Sequence, residues 1–320
     1  MKPSTAIARR GRDAAGINEL AYLVVDAGEQ VQLDAKVRLV RRTLGDTDDA
    51  PGDSVRLSDE QRRLYLRGTT MVPANGPVAE EARRIVDEAG AHTASARAWA
   101  LFSELALHYR YVYPPKRRGA AAMLEERAGD CGEFSFLFAA WCRSCGIPAR
   151  TMIGTWARGR TQAHVWSEFH VDDIGWVAAD ASMAALAHQT PWQLWLMGRR
   201  AGDRQDFFGA LPANRLAFSI DPDVGLNPGF ASVAEGGEPD VHVGGQPLRW
   251  GRDTIGGAAP YLQPAYPRFP HPPRETPAKR WNEQAPVGSW RIRHSTPERL
   301  AVWLGLIASV TAVRLLRRSE

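Results

Sequence analysis

The chain has 320 residues, 44% of them hydrophobic, with 40 Lys and Arg against 36 Asp and Glu, a formal net charge of +4 and a pI near 9.1. That suits one sizeable core with a smaller second unit, and the basic residues are scattered pairs such as Arg9-Arg10 and Arg317-Arg318 with no basic stripe interleaved with aromatics, so nucleic acid is not expected as a partner. Three cysteines form no disulfide framework and residues 1–10 lack a signal-peptide apolar core, so a reducing, cytoplasmic location is expected.

Residues 1–57 read as an N-terminal region with a small β element. Val31, Leu33, Ala35, Val37 and Leu39 alternate with polar residues as in a half-buried strand, and Tyr22 to Val25 supplies a neighbour. Residues 44–57 are rich in Asp, Gly and Pro and form a loop. Ser58-Asp59-Glu60-Gln61 then reads as a capped helix start, opening a domain predicted over residues 58–230. Helices follow over Pro77 to Gly90 and Ser95 to Tyr109, the second with Ala98, Leu101, Phe102, Leu105 and Ala106 at three- and four-residue spacing, and a short amphipathic turn over Ala120 to Arg127.

Gly129 and Asp130 supply turn and capping chemistry for the next helix. Phe134, Leu137, Phe138, Trp141, Cys142 and Cys145 recur at helical spacing until Gly146 and Pro148 stop it. Cys131 falls in the first turn, where unpaired N–H groups and the positive end of the helix dipole favour an anion, so its thiolate is expected to form more readily than that of a free cysteine. After it, His164-Val-Trp-Ser-Glu-Phe-His-Val171 and Trp176-Val-Ala-Ala-Asp180 flank the turn residues Asp172 to Gly175 and predict a hairpin. With Val171 or His170 beside Trp176, His164 and Asp180 share one face, opposite or one diagonal step apart, roughly 4.5 to 8 Å between Cβ atoms.

Beyond Phe230 the composition changes. Ser232 to Trp290 holds 8 Gly and 10 Pro, and residues 231–295 read as a Gly/Pro-rich linker, with 264–273 favouring polyproline II. Its aromatics, including Trp250, Tyr261 and Trp281, are too many for a purely solvating tether, so parts are expected to dock. Residues 296–320 read as a hydrophobic helix: Leu300 to Val313 is uncharged and apolar on every side, short for a bilayer span yet able to serve as a C-terminal membrane anchor if Arg314 snorkels. Burial against the enzyme domain or a partner is the alternative.

A cysteine nucleophile needs a base to take its proton and a group to orient that base. Cys131, His164 and Asp180 supply these three chemistries. Their flanks resemble the transglutaminase-like superfamily of cysteine enzymes: Gly129-Asp130-Cys131, Gly146-Ile147-Pro148-Ala149-Arg150, Gly154, His164-Val165-Trp166 and Gly175-Trp176 leading to Asp180. Tyr109-Arg110-Tyr111 and Asn214 to Ser219 extend the likeness to about 64–227. The resemblance implies an α+β, papain-like core in which the helix bearing the nucleophile packs on an antiparallel sheet. It further implies Cys131 as nucleophile, His164 as general base and acid, and Asp180 as the residue that orients it. Relatives often continue the last motif as Asp-Pro-Thr, where this chain has Asp180-Ala181-Ser182.

The expected activity is acyl-thioester chemistry on amide bonds of a peptide or protein substrate, hydrolysis before transfer to an amine, with no cofactor and no metal. A catalytically inactive peptide-binding module and a membrane-tethered scaffold are the readings from other classes. Other motifs are weaker. Cys142 and Cys145 have C-x-x-C spacing without a second pair and read as buried small hydrophobes; His170 shares the His164 face but lies at the turn end; Glu168 on that face is structural or touches substrate. No H-E-x-x-H, P-loop or dinucleotide fingerprint is present.

Overall fold

A computed structural model of the chain describes residues 7–23, 56–157, 163–189 and 204–225, with short strand segments at 2–3, 33–34, 242–243, 246–247 and 258–259. Strand β1 (Lys2–Pro3) pairs with β4 (Leu33–Asp34), and β2 (Ile7–Arg12) forms a hairpin with β3 (Glu19–Leu23). The remainder of the strand expected over 31–39 lies outside the described residues, as do the linker apart from its short segments and the hydrophobic segment 296–320. Among the described residues no helix is long and apolar enough to cross a membrane.

Six α-helices stand among the described residues. Helix α1 (Asp59–Leu66) opens with a capping box, Gln61 N–H donating to the Ser58 hydroxyl at 3.2 Å and Ser58 N–H to the Gln61 side chain at 3.0 Å. Helix α2 (Gly76–Glu88) carries Pro77 in its first turn, and α3 (Ala94–His108) is capped by Thr93. Strand β5 (Arg110–Tyr111) pairs in parallel with β6 (Ala128–Gly129), the two joined through α4 (Ala120–Glu126). Helix α5 (Cys131–Ser144) comes next, then β7 (Ala149–Trp156), β8 (Ala163–Val171), β9 (Gly175–Ala179), α6 (Ala181–Gln189), β10 (Arg215–Ile220) and β11 (Val224–Gly225). Helix α6 was not legible as a helix, its Ala-rich segment 181–189 giving no amphipathic stripe.

The main sheet is antiparallel in the order β10-β7-β8-β9, an α+β arrangement. Helix α5 crosses β8 and β7 and is enclosed on its other sides by α2, α3, α4 and α6. Every residue from Cys131 to Arg143 is buried, which explains why α5 is apolar on every side. Burial of Phe134, Leu137, Phe138 and Trp141 stabilises the domain by about 1.5–3 kcal/mol each. The N-terminal hairpin docks on the sheet edge, because the Asn18 side chain donates to the Ile220 carbonyl at 2.8 Å and accepts the Ile220 N–H at 2.7 Å.

Gly154 sits where β7 is gripped from both sides, opposite His164 on β8 and Ala217 on β10. A Cβ there would stand 1.9 Å from the Leu216 carbonyl oxygen and 2.8 Å from the Ala217 Cα, both backbone atoms. Gly154→Ala is therefore expected to push β10 outward and destabilise the domain by about 1–3 kcal/mol or more, read as a lowered Tm. An unchanged Tm would show that β10 yields freely.

Candidate active site

Asp130 caps α5 and shapes its first turn. Its carboxylate accepts the N–H groups of Gly132 and Glu133, its carbonyl accepts that of Phe134, and the Glu133 side chain reaches back to the Asp130 N–H. Of the first-turn donors this leaves the Cys131 N–H without such a partner. Arg118 Nη1 bridges both acids, 2.8 Å from Asp130 Oδ2 and 2.9 Å from Glu133 Oε2. Gly129 admits this packing, since a Cβ there would meet the Glu133 Cβ at 2.6 Å and the Met123 sulfur at 2.8 Å.

Strand β9 ends at Ala179, opposite Ser167, so the stretch of β8 from Ala163 to Trp166 has no β9 partner. The Val165 N–H uses this opening to hydrogen-bond the Cys131 sulfur. The adjacent His164 points to the face carrying Asp180, and its Nε2 lies 2.7 Å from Asp180 Oδ2 with both side chains buried. The hairpin pairs His170 with Trp176, which makes His164 and Asp180 a diagonal pair. Trp156 stacks on the imidazole at 4.1 Å between ring centres with 19° between planes, and Trp166 lies on a parallel plane at 6.2 Å. The imidazole is fixed in orientation, and its Nδ1 is buried with no hydrogen-bond partner.

The two oxygens of Asp180 have separate tasks. Oδ1 caps α6, accepting the Met183 N–H at 3.0 Å and the Ser182 hydroxyl at 2.8 Å. Oδ2 takes His164 and also Arg215 Nη2 at 2.9 Å. The Arg215 guanidinium lies 4.4 Å from the centre of the Trp156 ring, so the indole that stacks on His164 also meets the arginine.

Burial works to raise the Asp180 carboxyl, but the charges and hydrogen bonds of His164 and Arg215 outweigh it and hold the group well below the ordinary carboxylate range. An ionised Asp180 only accepts, so His164 Nε2 carries the hydrogen and Nδ1 presents a lone pair. Burial pushes the His164 pKa down; Asp180 opposes this, and Arg215 weakens the opposition. The imidazole is thus a neutral base at rest.

Residues 81–181 match the family model described as the transglutaminase-like superfamily, a segment that contains Cys131, His164 and Asp180. The chain carries a transglutaminase-like core. Solved structures with a similar fold include a candidate cysteine protease from Cytophaga hutchinsonii, 21% identical over 44% of this chain and 45% of that one with a TM-score of 0.33. The periplasmic domain of TgpA from Pseudomonas aeruginosa is another, 19% identical over 42% of this chain and 50% of that one with a TM-score of 0.36. The chain thus spans about half the length of these structures. No curated protein matches it.

Within the transglutaminase-like core the expectation for Cys131 needs correction. Burial raises its thiol well above the ordinary range, and the carboxylates of Asp130, Asp180 and Glu133 add to the rise against the Val165 hydrogen bond. The helix N-terminus is present, yet desolvation and three nearby acids outweigh it, and the resting group is a thiol. His170 lies six residues along β8, edge-on to Trp176 at 5.3 Å and 3.5 Å from Asp172 Oδ1, away from Cys131. Glu168 is held by Arg150 at 2.6 Å. Cys142 is fully buried in α5 and Cys145 caps its end, and among the described residues no group of His, Cys, Asp or Glu is arranged to hold a metal.

Sequence reasoning did not find Arg215, Ser182, Trp156, Arg118 or Glu133. Signals for two of them were present. Arg215 is a lone charge opening the apolar strand run Leu216-Ala217-Phe218, and Glu133 stands three residues after Asp130 as a capping box requires. Ser182, at the place where the resemblance showed a departure, supplies a hydroxyl that steadies Asp180.

Proposed function

We propose that the transglutaminase-like core attacks amide carbonyls through Cys131, with His164 as general base and acid and Asp180 as the group that orients it. The observation that carries this reading is the buried pair His164 Nε2–Asp180 Oδ2 at 2.7 Å, which leaves the Nδ1 lone pair free while the neighbouring Val165 N–H holds the Cys131 sulfur.

His164 Nδ1 takes the thiol proton as the sulfur bonds to the carbonyl carbon, and the oxygen gains negative charge beside the Cys131 N–H. Trading a buried thiol and a neutral imidazole for an ion pair is unfavourable in itself. Asp180 offsets part of that cost by stabilising the imidazolium. As the tetrahedral species collapses the C–N bond breaks and the imidazolium gives its proton to the departing amine, leaving a thioester. Water, deprotonated by His164, then releases the carboxylic acid and restores the thiol. Hydrolysis is the favoured outcome because the small bacterial relatives that the sequence resembles are peptidase-like; an amine entering in place of water would complete an acyl transfer.

Exposing the protein to a panel of peptide amides and activated esters and weighing the intact chain is expected to reveal an acyl adduct on Cys131. The adduct should be absent in Cys131→Ala and strongly reduced in His164→Ala. Adding a lysine analogue separates hydrolysis from transfer by its products. A panel that leaves no Cys131-dependent adduct would favour a non-catalytic peptide-binding module.

A further inference from the structure

Arg215 opens β10 with its side chain buried, yet it is not bonded as a structural arginine would be. Arg143 shows the contrast, since its Nε, Nη1 and Nη2 all find acceptors. Arg215 sends Nη1 to the Pro212 carbonyl at 3.2 Å and Nη2 to Asp180 Oδ2 at 2.9 Å, while its Nε is buried without a partner. The register of β10 on β7 sets Arg215 opposite Trp156, the indole that stacks on His164. The sheet thus delivers a cation to the very oxygen that His164 Nε2 occupies at 2.7 Å.

Asp180 does not need this arginine to keep its orientation. The Met183 N–H and the Ser182 hydroxyl hold Oδ1, and His164 itself takes Oδ2. Burying a guanidinium with one N–H unpaired is unfavourable, and a neutral donor would fill the bond to Oδ2 at a smaller desolvation cost. What the cation adds is charge, and it cannot be lost by deprotonation. Placed on the shared oxygen, it draws on the negative charge that would otherwise stabilise an imidazolium. Burial and Arg215 hold His164 toward the neutral form, against Asp180 and against Asp130 at the head of α5, where the Cys131 thiol supplies the proton. A base weakened in this way is a stronger acid once protonated. Cleavage of an amide uses both roles: the thiol proton passes to Nδ1 as the S–C bond forms, and the same proton passes to the amine nitrogen as the C–N bond breaks and its electron pair leaves with that nitrogen. An ester with a stable phenolate as leaving group needs only the first.

We propose that Arg215 is a positioning residue that acts through Asp180 on the proton carried by His164, keeping the imidazole neutral before attack and making the imidazolium a stronger acid toward a departing amine. This rests on the cysteine-enzyme reading above and narrows its substrates to acyl groups on amine nitrogen, whose departure requires a proton. Arg215 touches neither the substrate nor the sulfur; its effect falls on proton transfer, through the charge it places on Oδ2.

The test measures kcat/KM against pH in the full-length chain for the p-nitrophenyl ester and the p-nitroanilide of one N-acetylated dipeptide. Arg215→Gln keeps a donor for Oδ2 and loses the charge; Arg215→Lys keeps the charge and loses the fork. The acid limb of the ester profile reports the base in the free enzyme. In Arg215→Gln it is expected to move to higher pH by about one unit, the scale for a charge at this range, and the ratio of anilide to ester turnover to fall several-fold. In Arg215→Lys the limb should stay where wild type has it, whatever the rate. A limb unmoved in Arg215→Gln overturns the proposal, as does an unchanged ratio or an equal shift in both variants, which would make Arg215 a packing residue. If wild type itself shows no Cys131-dependent acylation by the ester, it is the cysteine-enzyme reading that fails. Should neither variant fold, a 15N-histidine titration of wild type decides, the His164 signal being identified by its loss in His164→Gln. An imidazole still neutral, with its hydrogen on Nε2, below about 6.5 supports the proposal, and one that takes up its proton at or above that value overturns it.

Discussion

Asp180→Asn is expected to lower acyl transfer by about 10⁴-fold while leaving the shape of the site intact. The loss follows from hydrogen-bond bookkeeping. Ionised Asp180 only accepts, so it holds the hydrogen on Nε2 and the lone pair on Nδ1; an asparagine amide can donate to Nε2 instead, which moves the hydrogen to Nδ1 and removes the base. The same change strands Arg215, whose buried guanidinium keeps the Trp156 ring but loses its only carboxylate among the described residues. Removing one partner of such a pair costs about 3–5 kcal/mol. Kinetics with a chromogenic ester beside thermal unfolding would register both effects, and near-wild-type turnover in Asp180→Asn would refute the role given to the carboxylate.

The pH dependence of wild type follows from the same groups. The His164 pKa is lowered in the folded state, so below about 6.5 the unfolded imidazole takes up a proton that the native one refuses, and stability falls with pH. Asp180, whose pKa is also lowered, stabilises the fold above its unfolded value near 3.9, and that contribution fades as pH drops through its lower folded value. Both act in the same direction, so acid weakens the core through these two groups.

Legibility in the sequence tracked the range of the interactions. Helix α5 was readable because its caps, Asp130 and Gly146, and its apolar run are local. The hairpin was readable because parity fixes faces once the turn is known, and His170 does pair with Trp176. Arg215 was out of reach, being 35 residues from Asp180 and joined to it only through the sheet order that brings β10 beside β7. The resting state of Cys131 is out of reach of the sequence for the same reason. A helix terminus is visible in sequence, but the burial and the convergence of three acids that overrule it are properties of the packed domain. Helix α6 escaped because, enclosed on most sides, it has no polar face to give a period.

Arg143→Ala should separate stability from chemistry. Arg143 stands twelve residues after Cys131 on α5, about 18 Å along the helix axis, and its side chain is wholly buried. It donates to the Ala149 carbonyl through Nε at 3.0 Å and Nη2 at 2.8 Å, to the Arg67 carbonyl at 3.1 Å and to Asp221 Oδ2 at 2.7 Å. Asp221 in turn accepts the Thr151 N–H at 2.9 Å, so one ion pair ties the end of α1, the end of α5, the start of β7 and the exit of β10. Truncation would leave the Asp221 carboxylate buried without its cation, at about 3–5 kcal/mol, and lower the Tm by on the order of 10 °C. Arg143→Met combined with Asp221→Leu removes both charges and should recover much of that loss, because the uncompensated carboxylate, rather than the absent pair, carries most of the cost. At temperatures where Arg143→Ala remains folded, its turnover should match wild type, since none of its bonds reaches His164 or Asp180. A Tm unchanged by Arg143→Ala, or a turnover that falls in proportion to stability, would show that the two ends of α5 are not independent.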